Sequence, residues 1–382
     1  MGLFSSSNLN YLGVDIGSAG VKVVELKNEN GRPRLMTYGF IEEEIDIVHN
    51  PSAENQQKAA GILSKILEKA QTTTKSAVVA LPSFSVFSSI ISLPVMNSKE
   101  LDSAIRWQAK KFVPLPMEEM TLDWKLLEDS SDDEKSKKEI EKSVDKKNEG
   151  ISKTEKKIDK LTEQAKNKSK SKYLKILIAA APKKLVLRYV NVFKAAGLEL
   201  LSLETENFAL ERALIGNSVS PIMIVDIGSI TSDISVAENG IPLLSRSVDA
   251  GGEMITQSIM NSMHVDHKRA EQFKRDIGFG GMQGSLPKVI EIAVMPIINE
   301  IKYCFDLYSS QQSKQRIEKI ILTGGSAFLP NITDYLSNLS NIKVYIGDPW
   351  SRIIYPVELK PILDDLAPRF SVAVGLAMRE IL

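Results

Sequence analysis

The pentapeptide Val-Asp-Ile-Gly-Ser occurs twice in this chain, at Val14–Ser18 and Val225–Ser229, each time after an apolar run and before a second strand-like stretch. Its residue types suit a phosphate and a counter-ion. The runs Tyr11–Val14 and Ile222–Val225 read as buried strands, so Asp15 and Asp226 stand where each strand emerges. A carboxylate there can meet a hydrated divalent cation. The following glycine, Gly17 or Gly228, has no Cβ; it permits positive φ and a close approach of backbone N–H groups to an anion. Ser18 and Thr231 add donors. The alternation resumes at Val21, Val23 and Leu26, with Lys22 and Glu25 on the other face, and at Ile234 and Val236 in the second copy. Each copy is expected to be a strand-turn-strand hairpin.

Two further Gly-Gly turns accompany the hairpins, Gly251-Gly252 and the strand-to-helix turn Thr323-Gly324-Gly325-Ser326. Alone, such turns are ordinary loop chemistry. Other chemistries find less support. No Gly-x4-Gly-Lys-Ser/Thr segment is present, which excludes a P-loop kinase. The loop Gly278–Gly284 does not spell Gly-x-Gly-x-x-Gly and follows a polar helix, which argues against a dinucleotide site. His264 and His267 are spaced for a metal, but no other His or Cys lies nearby. Cys304 sits on an apolar helix face and is expected in the core.

The elements that hold these residues need more than one core: 382 residues predict two domains or lobes. Formal net charge is zero, so nothing calls for nucleic acid. A single cysteine and an opening without a signal-peptide pattern fit a reducing cytosolic location. No apolar stretch approaches the roughly 20 residues of a spanning helix. Met1–Ser6 formally matches an N-myristoylation signal, although a frayed start needs no modification. From Ser130 to Lys172 about two dozen residues are Lys, Asp or Glu. Such a segment cannot bury enough surface to offset chain entropy and is expected to be a solvated loop insertion, with only a short helical stripe at Ile151, Ile158, Leu161 and Ala165.

Around it, strands are expected at Ala77–Leu81, Val86–Leu93, Leu122–Leu127 and Tyr173–Ala180, with a helix from Ser98 to Phe112 capped by Ser98 and stopped by Pro114. Further on, helices are expected at Met254–Met263, His267–Asp276, Leu286–Ser309 and Ser371–Met378, and a strand at Ile317–Leu322.

Taken in order, the two hairpins and the Gly-Gly turns resemble the actin-like ATPase superfamily. Within it, Leu81-Pro82 through Asp123, the opening Leu12–Ser18 with Val21–Leu26, and Phe208–Ala213 are similar to the FtsA-like branch and its PilM family of type IV pilus assembly proteins. The resemblance covers nearly the whole chain except the charged insertion. It implies an α/β fold of two lobes, each a mixed sheet flanked by helices, with an FtsA/PilM-type subdomain inserted in the first. The implied first lobe is 1–83, 182–220 and 366–382, the inserted subdomain 84–181, and the second lobe 221–365.

The resemblance also implies ATP and Mg²⁺ as ligands. Asp15, Gly17, Ser18 and Lys22 would form the first phosphate hairpin and Asp226, Gly228 and Thr231 the second, with Asp15 and Asp226 near the cation through water. Glu206, or failing it Glu204, would position an attacking water, which with Asp226 makes the catalytic pair. Gly324, Gly325 and Ser326 would face the adenosine, Glu271 and Lys274 the ribose and adenine, and Gly251 and Gly252 the nucleotide from the second lobe.

By the same resemblance the chain would be at most a slow ATPase. It would work as a cytoplasmic scaffold at the inner face of the membrane and receive the N-terminal tail of a PilN-like membrane protein in a groove beside the subdomain. Ile90, Leu93, Ile105 and Phe112 are groove candidates, though core packing is the expected role for most of them. Other pilus assembly proteins and self-association are further expectations. Two alternatives stay open: an FtsA-like division protein, against which stands the end of the sequence at Leu382 straight after its last core helix, and an ATPase or kinase of the same fold.

Overall fold

In the computed structural model, which describes residues 9–127, 173–280, 285–310 and 315–382, each Val-Asp-Ile-Gly-Ser segment closes an antiparallel hairpin. The first joins β1 (Asn10–Gly17) to β2 (Gly20–Glu29), and the second joins β9 (Ile222–Ile227) to β10 (Ser232–Glu238). Each hairpin gains a third antiparallel strand, β3 (Arg32–Ile41) or β11 (Ile241–Val248), and on its other side two parallel ones. These are β4 (Ser76–Leu81) and β8 (Glu199–Thr205) in the first sheet, β12 (Lys319–Thr323) and β13 (Val344–Ile346) in the second. The orders β3-β2-β1-β4-β8 and β11-β10-β9-β12-β13 are the same arrangement twice. The duplication in sequence is thus a duplication of architecture.

Contacts divide the chain into two units, Met1–Phe84 with Leu187–Leu382, and Ser85–Val186. Both five-stranded sheets belong to the first. Its helices are α1 (Ala53–Ala70), most of α3 (Lys183–Ala195), α4 (Glu206–Leu214), α5 (Gly252–Met263), α6 (His267–Ile277), α7 (Ser285–Ser310), α8 (Ile332–Ser340), α9 (Lys360–Leu366) and α10 (Ser371–Met378). Every residue of α10 is buried. Its sequence, Ser-Val-Ala-Val-Gly-Leu-Ala-Met, has no polar face to offer water, and a helix apolar all round is stable only inside a core. It lies with α4 between the two sheets, where Val78, Ala209, Leu210, Ile224, Val372 and Leu376 form one cluster. Full burial of each large aliphatic side chain there contributes about 1.5–3 kcal/mol.

Glycine sets how closely these elements approach. A Cβ at Gly375 of α10 would overlap the Ala209 carbonyl of α4, and one at Gly13 of β1 would overlap the Ala373 carbonyl of α10. Backbone therefore meets backbone on both sides of α10.

The second unit is a three-stranded antiparallel sheet in the order β5 (Phe87–Pro94), β7 (Tyr173–Pro182), β6 (Met120–Leu127), with α2 (Ser98–Ala109) against it. One reading is corrected here. Asn97, not Ser98, caps α2, because it is the Asn97 side chain that accepts from the Glu100 N–H. Leu93 and Ile105 are 5% and 0% exposed in the core of this unit, so they present nothing to a partner. The charged segment Ser130–Lys172, Met1–Ser6 and Gly281–Gly284 lie outside the described residues.

Candidate functional site

The two hairpins differ at one position that the ladder makes equivalent. Register pairs Asp15 with Lys22 across β1 and β2, and Asp226 with Asp233 across β9 and β10. Seven residues after each motif aspartate, one copy carries a cation and the other an anion. Lys22 Nζ reaches Asp15 Oδ2 at 2.8 Å. Asp233, 7% exposed, accepts a short hydrogen bond from the Ser247 hydroxyl on β11. The sequence reading missed Asp233, although aligning the two copies would have put it beside Lys22.

Glu206 begins α4 and completes the cluster. Its Oε2 accepts from the Ser83 N–H at 3.0 Å and lies 3.3 Å from the Ser83 hydroxyl. Burial, followed by the negative charges of Asp233, Asp15 and Asp226, pushes the Glu206 carboxyl well above its usual range. Asp226 is raised to about 7 by burial and by Asp233 and Asp15, against the opposing pull of Lys22. Asp233 is raised to about 6, mainly by burial, with the Ser247 bond acting the other way. Four carboxylates therefore act on one another beside one lysine. They want more positive charge than the chain supplies, which is what a divalent cation would bring.

Glu204 has another occupation. Arg212 grips it through two bonds, Nη1 to Oε1 at 2.7 Å and Nη2 to Oε2 at 2.9 Å, and Arg379 adds a contact at 3.3 Å. A carboxylate held by a guanidinium fork is committed to structure. Glu206, bonded to Ser83 instead, is not gripped in this way.

Tyr189 of α3 is fully buried, and its hydroxyl finds no hydrogen-bond partner among the described residues. Burial raises its pKa, and the charges of Glu206 and Asp15 raise it further. Tyr189→Phe removes an unsatisfied group, so its melting temperature is expected to match or slightly exceed that of the parent. A fall of several degrees in a thermal scan would show that the hydroxyl has a bond after all.

The second hairpin is seated on the start of α5. Gly228 O accepts from Gly252 N at 2.9 Å and Ser229 O from Glu253 N at 2.8 Å, while Gly228 N donates to Thr231 O at 3.0 Å and closes the turn. A Cβ at Gly251 would come within 2.8 Å of Gly228 O, and one at Gly252 within 2.7 Å of Ser326 Oγ and 3.5 Å of Lys274 Nζ. Lys274 donates to Gly252 O at 3.1 Å, to Thr256 Oγ1 at 2.8 Å and to Glu271, which also accepts from Thr256. Burial raises Glu271, but the bonds from Lys274 and Thr256 outweigh it and hold the carboxyl below its usual range. The Glu271–Lys274 pair is thus built into the turn rather than left as a surface pair.

Gly324, at φ +86°, lies directly on the second hairpin: a Cβ there would overlap Asp226 Oδ1 and the Ile227 carbonyl. Thr323 beside it is fully buried; its hydroxyl donates to Pro368 O at 2.8 Å in the turn before α10 and lies 2.8 Å from the Ser371 hydroxyl at the start of that helix. Gly325 borders open space, and Gly17 has room for a Cβ, with Lys22 Nζ at 3.8 Å. Ser18 is half-buried at the first turn, where its carbonyl accepts from Ile45 N at 3.3 Å.

The family of type IV pilus assembly protein PilM matches residues 13–147 and 157–381. The chain belongs to that family. The internal gap in the PilM match, 148–156, falls within the charged segment. A solved PilM–PilN type IV pilus biogenesis complex has a TM-score of 0.78 at 22% identity, covering 98% of this chain and 99% of that one. The ethanolamine utilization protein EutJ of Carboxydothermus hydrogenoformans gives 0.53 at 16% identity, covering 97% and 89%. Both likenesses establish the actin-like ATPase fold for this PilM-family chain. The cell division protein FtsA of Neisseria meningitidis serogroup B is 26% identical over 178 residues, 41% of each chain. The chain therefore spans under half the length of that curated relative. Among the described residues, no helix is long and apolar enough to cross a membrane.

Proposed function

We propose that the chain is an ATP-binding scaffold of type IV pilus assembly that receives the N-terminal tail of a PilN-like membrane protein, with nucleotide setting how the two lobes close. It would stand in the cytoplasm at the inner face of the membrane through that partner. The observation that carries the nucleotide reading is that Asp15 with Lys22 and Asp226 with Asp233 hold equivalent places on the two hairpins, with Glu206 of α4 under the influence of all three aspartates. Mg²⁺ fits this donor set, because an all-oxygen, negatively charged cluster suits a hard cation kept partly hydrated. Asp15 and Asp226 would hold it through water, and Lys22 would meet a phosphate oxygen. Glu206 would orient a water if the nucleotide is hydrolysed. Gly251, Gly252, Glu271, Lys274, Gly324, Gly325 and Ser326 would line the nucleoside side, where glycine allows a base or ribose to approach the backbone. A ligand touching both hairpins would favour a closed arrangement of the two sheets over an open one. Family membership supports the pilus role, and the PilM–PilN complex of the same fold supports the partner.

Titration calorimetry with ATP and Mg²⁺ tests the site. Asp15→Ala and Asp226→Ala are each expected to weaken binding by about 10-fold or more, the size of a lost charged contact. Parent-like affinity in both variants would reject the cleft. Steady-state turnover well above about 1 per second would point to an enzyme rather than a scaffold. A synthetic PilN-type tail that binds neither with nor without ATP would remove the partner from the proposal.

A further inference from the structure

Beside the nucleoside side of the cleft, three side chains bring metal-ligating atoms together. Glu253 sits in the first turn of α5, and His267 and Glu271 are four residues apart on α6, so they share one face of that helix. One ligand atom from each lies within 4.8 Å of the other two, and His267 Nε2 is 3.2 Å from Glu253 Oε2. Two donors on a tetrahedral ion with bonds of about 2.0–2.2 Å stand roughly 3.3–3.6 Å apart. The first pair is therefore already at ligand spacing, and the third closes with a small rotation of exposed side chains.

We propose that Glu253, His267 and Glu271 form a binding site for a divalent transition metal of the Zn²⁺ class, with water completing the coordination. One imidazole and two carboxylates make a nitrogen-containing set that prefers such ions to Mg²⁺. It is chemically distinct from the all-carboxylate cluster between the hairpins. Glu271 also carries the outer support that metal-bound carboxylates use, since one of its oxygens is held by Thr256 and Lys274 and the other faces outward. The same bonds keep it ionised. Arg275, 3.7 Å from that outward oxygen, is an exposed side chain free to swing aside. Because Lys274 also holds Gly252, a metal here would brace α5 against α6 at the turn that seats the second hairpin.

The chain's composition makes the test clean: it has three histidines, and its single cysteine, Cys304, is fully buried. Zn²⁺ is titrated into the full-length, nucleotide-free protein at neutral pH, with the imidazole nitrogens followed by NMR and the affinity by calorimetry. One equivalent is expected to shift the His267 ring signals while those of His49 and His264 stay in place. His267→Ala and Glu253→Gln are each expected to weaken Zn²⁺ binding by about 10-fold or more, and Asp15→Ala to leave it unchanged. No movement of His267 up to about 1 mM Zn²⁺, equal shifts at all three histidines, or undiminished affinity in His267→Ala would overturn the proposal and leave a simple hydrogen-bonded contact between His267 and Glu253.

Discussion

Without nucleotide or divalent cation, Asp233→Asn is expected to melt at a higher temperature than the parent at pH 8 and at nearly the same temperature at pH 4. The sign follows from proton binding. Folding raises Asp226 to about 7 and Asp233 to about 6 from a starting value of 3.8, so between these limits the folded protein keeps protons that the unfolded chain has released. Stability contributed by these groups is therefore full below pH 4, falls as pH rises through 4 to 7, and is lowest above. Removing one charge relieves Asp233 itself and the repulsion on Asp226 and Glu206. One pKa unit corresponds to about 1.4 kcal/mol. Sharing between neighbours and the partial opening of the cleft to water reduce the gain to about 2–3 kcal/mol, or roughly 5–10 °C by the usual scaling for domains of this size. Asparagine keeps an oxygen to accept from Ser247, so the packing is preserved. Glu271 works in the opposite sense, being held below its usual range, and the comparison with the parent cancels it. Differential scanning fluorimetry at both pH values checks this. A variant less stable than the parent at pH 8 would mean that Asp233 is neutralised by a group other than a proton.

Gly375→Ala is expected to be the most damaging single methyl that can be added to the larger unit, with Gly13→Ala close behind. At 375 the new carbon would overlap the Ala209 carbonyl, and at 13 it would overlap the Ala373 carbonyl and meet Ala377 N at 2.5 Å. Neither obstacle is the end of a flexible side chain. Relief requires moving α4 or the wholly buried α10, and overpacking of this kind costs about 1–3 kcal/mol or more. A drop in melting temperature of about 10 °C, or loss of soluble protein, is the expected outcome. Gly61 is the internal control. It lies in the exposed part of α1 with nothing within 4 Å of an added Cβ, so Gly61→Ala should raise stability, by up to about 1 kcal/mol of helix propensity. If Gly375→Ala and Gly61→Ala melt alike, the close approach of α10 to α4 is wrong. The clash also reaches function: Gly13 stands two residues before Asp15, and Ala209 three after Glu206, so any surviving protein should bind nucleotide poorly.

Much of this protein is written locally. The Val-Asp-Ile-Gly-Ser copies announce their own hairpins because alternation, a turn glycine and a following strand are contiguous, and every one of the eight residues of α10 can be assigned to a core from its composition alone. The choice of Glu206 over Glu204 is different. The sequence already ranks Glu206 ahead of Glu204, but not for the reason the fold supplies: β8 ends between them, so one is gripped by Arg212 while the other opens α4 beside Ser83, 123 positions away. His267 likewise reads as half of an unfinished histidine pair until α5 brings Glu253 to it. Asp233 lies between these cases, since its seven-residue offset is visible in the repeat but its consequence is not. The sequence by itself determined the two hairpin turns, the paired sheets and the family. Only the tertiary structure decided which acids act on one another and which are neutralised, because charge depends on distances through space that spacing along the chain does not contain.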